Sequence, residues 1–344
     1  MKMKNNVLNL KFVHLTKARL VNQHGFSLLE AFIALVIGLV IFAGVLSIFV
    51  GMKTTSKETS SYGELQENGR FAISLLSDDL LRQDFWGDYT GLVDLASVNP
   101  VPAAPGGECV GGGINNGTFP VATGHFRTLW GETVTSASIM SGCRTDAKVG
   151  SDILQLKRVV STPLGLVAGD TAPANNYYFM SNMNNGTLFS AGTVPDIKNG
   201  RVWEYQHHIY YVREESQGNI TVPVLMQGQL ANTLSFAPII DGIEMIRFEY
   251  GIDTEINPTD AGYGIVNAYV PAKDMTAALW DNSASRIISV KIYVLVRSVQ
   301  EDLKYKNTNT YKLGGYDYPV DDNYRRLLFN STVTLYNTSI DTWN

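Results

Sequence analysis

Residues 25–53 read GFSLLEAFIALVIGLVIFAGVLSIFVGMK, and the reading of this stretch decides the fold. From Ala31 to Val50 it holds twenty residues with no charge and no proline. At about 1.5 Å per residue, a helix of that length covers about 30 Å, the thickness of a bilayer hydrocarbon core. A buried soluble helix seldom stays apolar for so long without a polar face. The run is headed by an acid, Glu30. An ionisable group costs on the order of 2–3 kcal/mol at the centre of a membrane and less at its edge, and such a residue usually has a partner and a task.

Upstream, residues 1–25 carry Lys2, Lys4, Lys11, Lys17 and Arg19 and no acid. This basic flank predicts a cytoplasmic Met1, with everything after Lys53 outside: a single-pass, N-in topology. A secretory signal peptide is the competing reading, with Ser47 and Gly51 as small residues for its cleavage. The acid at the other end of the span argues for an anchor. Without residues 1–25 the net charge moves from -5 to -10, with 22 basic against 32 acidic residues. No direct nucleic-acid partner is expected of such a surface, because phosphate binding needs Lys and Arg to displace counterions.

Downstream, Lys53–Tyr62 is polar, and helical patterning returns from Glu64 to Phe85. Leu65, Phe71, Leu75, Leu76, Leu80 and Phe85 approximate one apolar stripe, while Asp78, Asp79, Arg82 and Asp84 fall mostly on the other side. One helix from Phe26 to about Phe85 is expected, loosened at Gly63 and Gly69 by about 1 kcal/mol each and stopped at Trp86-Gly87. A Pro/Gly/Asn-rich loop follows over Asn99–Gly117. Strands are expected at Asp152–Val160, Tyr177–Met180, His208–Arg213, Thr221–Gln227, Ile243–Tyr250, Ile287–Arg297 and Leu327–Tyr336. In Ile287–Arg297 the alternation predicts one well-buried face. A long helix first and strands later, without βαβ alternation, predicts an α+β fold with an antiparallel sheet. The expected organisation is 1–25 as a leader, 26–52 as the apolar half of the helix, 53–86 as its amphipathic half, and 87–344 as a β-rich domain with a long insertion around 99–150.

The hexapeptide Gly25-Phe26-Ser27-Leu28-Leu29-Glu30 resembles the processing signal of type IV prepilins and type II secretion pseudopilins. The resemblance implies cleavage between Gly25 and Phe26 by the prepilin peptidase, N-methylation of Phe26, and a register-setting role for Glu30 against the terminal ammonium of an adjacent subunit. A leader of 25 residues is long for that family, which leaves an internal start such as Met3 open. Three weaker stretches resemble PilW-type minor pilins: Glu67-Asn68-Gly69-Arg70-Phe71, Asp241–Gly251, and Arg325-Arg326 with Phe329 and Thr332–Asn337. The resemblance implies a pilin-like fold and a non-enzymatic subunit that helps prime pilus assembly near the tip, supporting twitching motility, adhesion or DNA uptake. It implies as partners other minor pilins and the major pilin, the prepilin peptidase, the inner-membrane assembly platform, inner-membrane lipid and a tip adhesin. The implied location is the inner membrane with a periplasmic C-terminal domain, then the pilus. A J-type pseudopilin and a membrane-tethered periplasmic binding domain are the rival readings.

Candidate chemistry is sparse. Cys109 and Cys143 are the whole cysteine inventory; an even pair flanking a Gly-rich insertion fits a disulfide after export, with two unrelated thiols as the alternative. The five histidines are His14, His24, His125, His207 and His208; the adjacent pair lies in a strand-like run, where neighbours point to opposite faces and cannot easily share a metal. No HExxH, CxxC, P-loop or nucleophile elbow occurs, so no catalytic residue and no cofactor is expected. Asp253, Glu255 and Asn257 offer oxygens at alternate positions as a weak calcium candidate, with Pro258 where an EF-hand requires Gly. Asp317, Asp321 and Asp322 form a second acidic loop, read as solvated, and most of the 17 tyrosines are read as strand and core residues.

Overall fold

A computed structural model describes residues 25–255, 257–282 and 285–337; the residues of the basic leader before Gly25, with His14 and His24, lie outside it. The chain forms two compact units that meet between Glu58 and Thr59. Helix α1 (Leu28–Leu81) supplies the described secondary structure of the first unit and continues into the second.

The second unit contains two antiparallel sheets. In the larger, β1 (Leu129–Thr133), β2 (Asp152–Val159), β4 (Tyr177–Ser181), β5 (Gly186–Phe189), β7 (Arg201–Gln217), β8 (Ile220–Leu230) and β9 (Leu234–Asp241) pair in the order β1-β2-β7-β4-β5, with β8 joining β7 to β9. Strand β7 is the spine: its start pairs with β4, its middle with β2 and its end with β8. A small pair, β3 (Thr171–Ala172) and β6 (Gly192–Thr193), lies in the connections. The other sheet has four strands in the order β11 (Ala268–Pro271), β10 (Ile243–Asp253), β12 (Arg286–Arg297), β15 (Arg326–Thr334). A hairpin of β13 (Thr310–Leu313) and β14 (Tyr316–Pro319) completes the unit. The α+β expectation holds.

One core joins these layers. Leu65, Ala72, Leu76 and Leu80 of α1 pack with Ile209 and Tyr211 of β7, Val224 of β8, Ile246 and Phe248 of β10, and Val290 and Ile292 of β12. Three local expectations change. Helix α1 ends at Leu81 and not at Phe85, because Asp84 takes a left-handed backbone (φ 58°) and the chain is drawn to β2. There Asp84 N donates to the Lys157 carbonyl (3.3 Å) and Val159 N to the Phe85 carbonyl (2.9 Å). Asp79 is buried, where the helical stripe placed it toward solvent. The second face of β12 is also covered: Leu295 packs with Met245 beneath Leu313 of the hairpin. Expected strands Asp152–Val160, Tyr177–Met180, Ile243–Tyr250 and Ile287–Arg297 agree closely with β2, β4, β10 and β12.

Candidate functional site

The head of α1 is set by local capping. Gly25 and Phe26 precede the helix, and Ser27 closes it: its Oγ accepts from Glu30 N at 3.1 Å and its carbonyl from Ala31 N at 3.1 Å. A serine at the cap with a glutamate three residues on is the sequence of a capping box. Ser27 was not singled out from the sequence, although that spacing was there to be read. Glu30 stands in the first turn, where the helix dipole favours a negative charge by about 0.3–1 kcal/mol. The acid therefore has a local role in addition to any role in assembly.

Every residue from Gly25 to Lys53 is exposed, including Phe26 at 86%. Sheathing one Leu, Ile, Val or Phe side chain is worth about 1.5–3 kcal/mol, so a helix presenting this many has a strong drive toward an apolar surrounding. The first unit is a candidate membrane anchor.

In the second unit, the three weaker motif stretches converge on the docking of helix to sheet. Asn68 Nδ2 donates to the Asp241 carbonyl at 3.0 Å. The Phe329 ring lies so close to Gly69 that a Cβ there would sit 2.1 Å from it. Arg326 Nη2 donates to Glu244 Oε1 (2.9 Å) and to Asp322 Oδ2 (2.6 Å). Arg325 Nη2 reaches Asp302 Oδ2 at 2.8 Å, and its guanidinium lies 5.4 Å from the Tyr62 ring of α1. Gly242 takes φ 82°, and a Cβ there would meet the Arg297 carbonyl at 2.8 Å. These motifs hold the helix in one place on the sheet.

A charged cluster completes that contact. Asp79 of α1 accepts from Arg158 Nε (2.9 Å) and Tyr210 Oη (3.0 Å), and its carboxylate lies 2.6 Å from His208 Nδ1. Burial pushes its carboxyl up, but hydrogen bonds and charge from His208 and Arg158 outweigh that and leave it at about 2. His207 faces the opposite side of β7, with Thr118 Oγ1 at 3.2 Å and Gln155 Nε2 at 2.8 Å, as strand alternation predicts. Burial holds its imidazole well below the ordinary range.

Cys109 and Cys143 form a disulfide with Cα atoms 5.1 Å apart, which ties the ends of the Gly-rich insertion. The calcium candidates are not gathered as ligands. Asp253 Oδ2 accepts from Arg286 Nη2 (2.6 Å) and Gly264 N (2.9 Å), its Oδ1 accepts from Glu255 N (3.0 Å), and Asn257 Oδ1 accepts from Thr259. Among the described residues no group of three His, Cys, Asp or Glu is placed to hold a metal.

The family model described as type IV pilus-assembly protein W matches residues 209–337, from within β7 through β15. No curated protein and no solved structure matches the chain. The match supports a role related to type IV pilus assembly and points to a structural, non-enzymatic protein.

Proposed function

We propose that the chain is a minor pilin of the PilW type, a structural subunit that helps prime type IV pilus assembly at or near the tip. The observation that carries this reading is a covalent combination: an uncovered apolar helix headed by Ser27 and Glu30, followed by a sheet domain that matches a pilus-assembly family. Processing between Gly25 and Phe26 leaves the helix in the membrane and creates a terminal ammonium at Phe26. That ammonium stands at the positive end of the helix dipole and needs an anion. In an apolar bundle of helices, the Glu30 carboxylate of a neighbouring subunit supplies it. Two charges paired there offset their desolvation, and a slipped register leaves one of them alone. Packing is then the mechanism: the anchor joins a bundle with other pilins, and the sheet domain presents lateral surfaces. Motility, adhesion and DNA uptake follow from the filament.

Capping and register can be separated by Glu30→Gln. Glutamine serves at the third helical position of a capping box as glutamate does, but carries no charge. The variant is expected to be cleaved and to stay in the membrane, yet to be missing from sheared pili. Incorporation at the wild-type level would assign Glu30 to capping alone.

A further inference from the structure

Lys157 of β2 is wholly buried, and the groups that meet its Nζ are neutral. Nζ donates to the Arg127 carbonyl at 2.6 Å, lies 3.4 Å from Asn116 Oδ1 and sits 4.7 Å from the centre of the Phe126 ring. A buried ammonium with no anion in direct contact sheds its proton readily. Burial, reinforced by the charge of Arg127, holds this amine well below the ordinary lysine range. A desolvated, neutral lysine is a nucleophile.

The group facing it is a carboxamide held still. Asn116 is buried, its Nδ2 donates to the Gly112 carbonyl at 2.9 Å, and its backbone carbonyl accepts from Gly111 N at 3.1 Å. Glu108 comes from the same loop: its Oε1 accepts from Thr118 N at 2.8 Å, two residues past Asn116, and its negative charge is felt at Lys157. Amine and carboxamide are both buried, and the half-buried carboxylate belongs to the same loop as Asn116.

We propose that Lys157 and Asn116 form an intramolecular isopeptide cross-link, with Glu108 carrying the proton. The Nζ lone pair attacks Cγ of Asn116, the new C–N bond forms, and the Cγ–Nδ2 bond breaks. Glu108 takes a proton from the attacking nitrogen and delivers one to the departing nitrogen. Ammonia leaves neutral, and the carboxylate ends as it began. The reaction needs no oxidant, metal or further reactant, and the burial of Lys157 and Asn116 disfavours hydrolysis of the amide. The product fastens to β2 the loop around Asn116, which lies within the segment that the Cys109–Cys143 disulfide closes.

The test is peptide-mapping mass spectrometry on the full chain purified from membranes and reduced. Wild-type protein is expected to lack tryptic cleavage after Lys157 and to yield one joined peptide containing Asn116 and Lys157, lighter by one ammonia, and by no water, than the sum of the two peptides it links. Asn116→Ala and Lys157→Met are expected to abolish it, and Glu108→Gln to slow its formation by about 100-fold. Cleavage after an unmodified Lys157 in the wild-type chain overturns the proposal, whether Asn116 is intact or simply deamidated; that reading does not depend on any variant folding. Undiminished cross-linking in Glu108→Gln overturns the proton-carrying role.

Discussion

Replacing Asp79 by Asn would leave Arg158 buried without its anion, a change expected to cost about 3–5 kcal/mol at neutral pH. The same carboxylate sets an acid limb. Its folded pKa of about 2 lies below the ordinary 3.8, so its contribution is fully present above about pH 4 and is lost as the pH falls toward 2. That contribution is about 2 kcal/mol. Denaturant titrations of wild type and Asp79→Asn at stepped pH measure it: the difference between them should narrow on acidification, and a constant difference would refute the assignment. Asp79 was unreadable as a buried residue because its partners lie far along the chain, at Arg158, His208 and Tyr210. Helical periodicity sees only the residues of the helix itself.

At the scale of elements, the two glycines in the second half of α1 differ in kind. Gly63 has open space around it, so Gly63→Ala should stabilise the unit by about 0.5–1 kcal/mol. Gly69 is the seat of the Phe329 ring, so Gly69→Ala should destabilise it by about 1–3 kcal/mol. Opposite shifts in thermal midpoint are expected, and equal shifts would contradict the docking described. The long strands β2, β10 and β12 were legible because their apolar positions recur with a strand period. Strand β9 was not, since Pro238 interrupts it and most of its side chains stay at least partly open to solvent. The first seven residues of β7 and the short β1 were not read as strand. The cysteine pair was legible because the chain has only two. The Lys157–Asn116 encounter was not, because a lone lysine in a strand pattern carries no sign of what will face it across 41 residues.

For the whole molecule, division of labour follows from chemistry. From Gly25 to Met52 the first unit has an apolar surface, with Ser27, Glu30 and Ser47 as its polar side chains; the second buries its own core and charge pairs, and its residues 209–337 match a pilus-assembly family. The proposed function needs both, and rests on the idea that a subunit freed of its leader stacks with its new amine against a neighbour's acid. N-terminal mass spectrometry of the chain recovered from sheared filaments tests this most directly. The account predicts a first residue of N-methylated Phe26; a chain recovered with residues 1–25 still attached would contradict it.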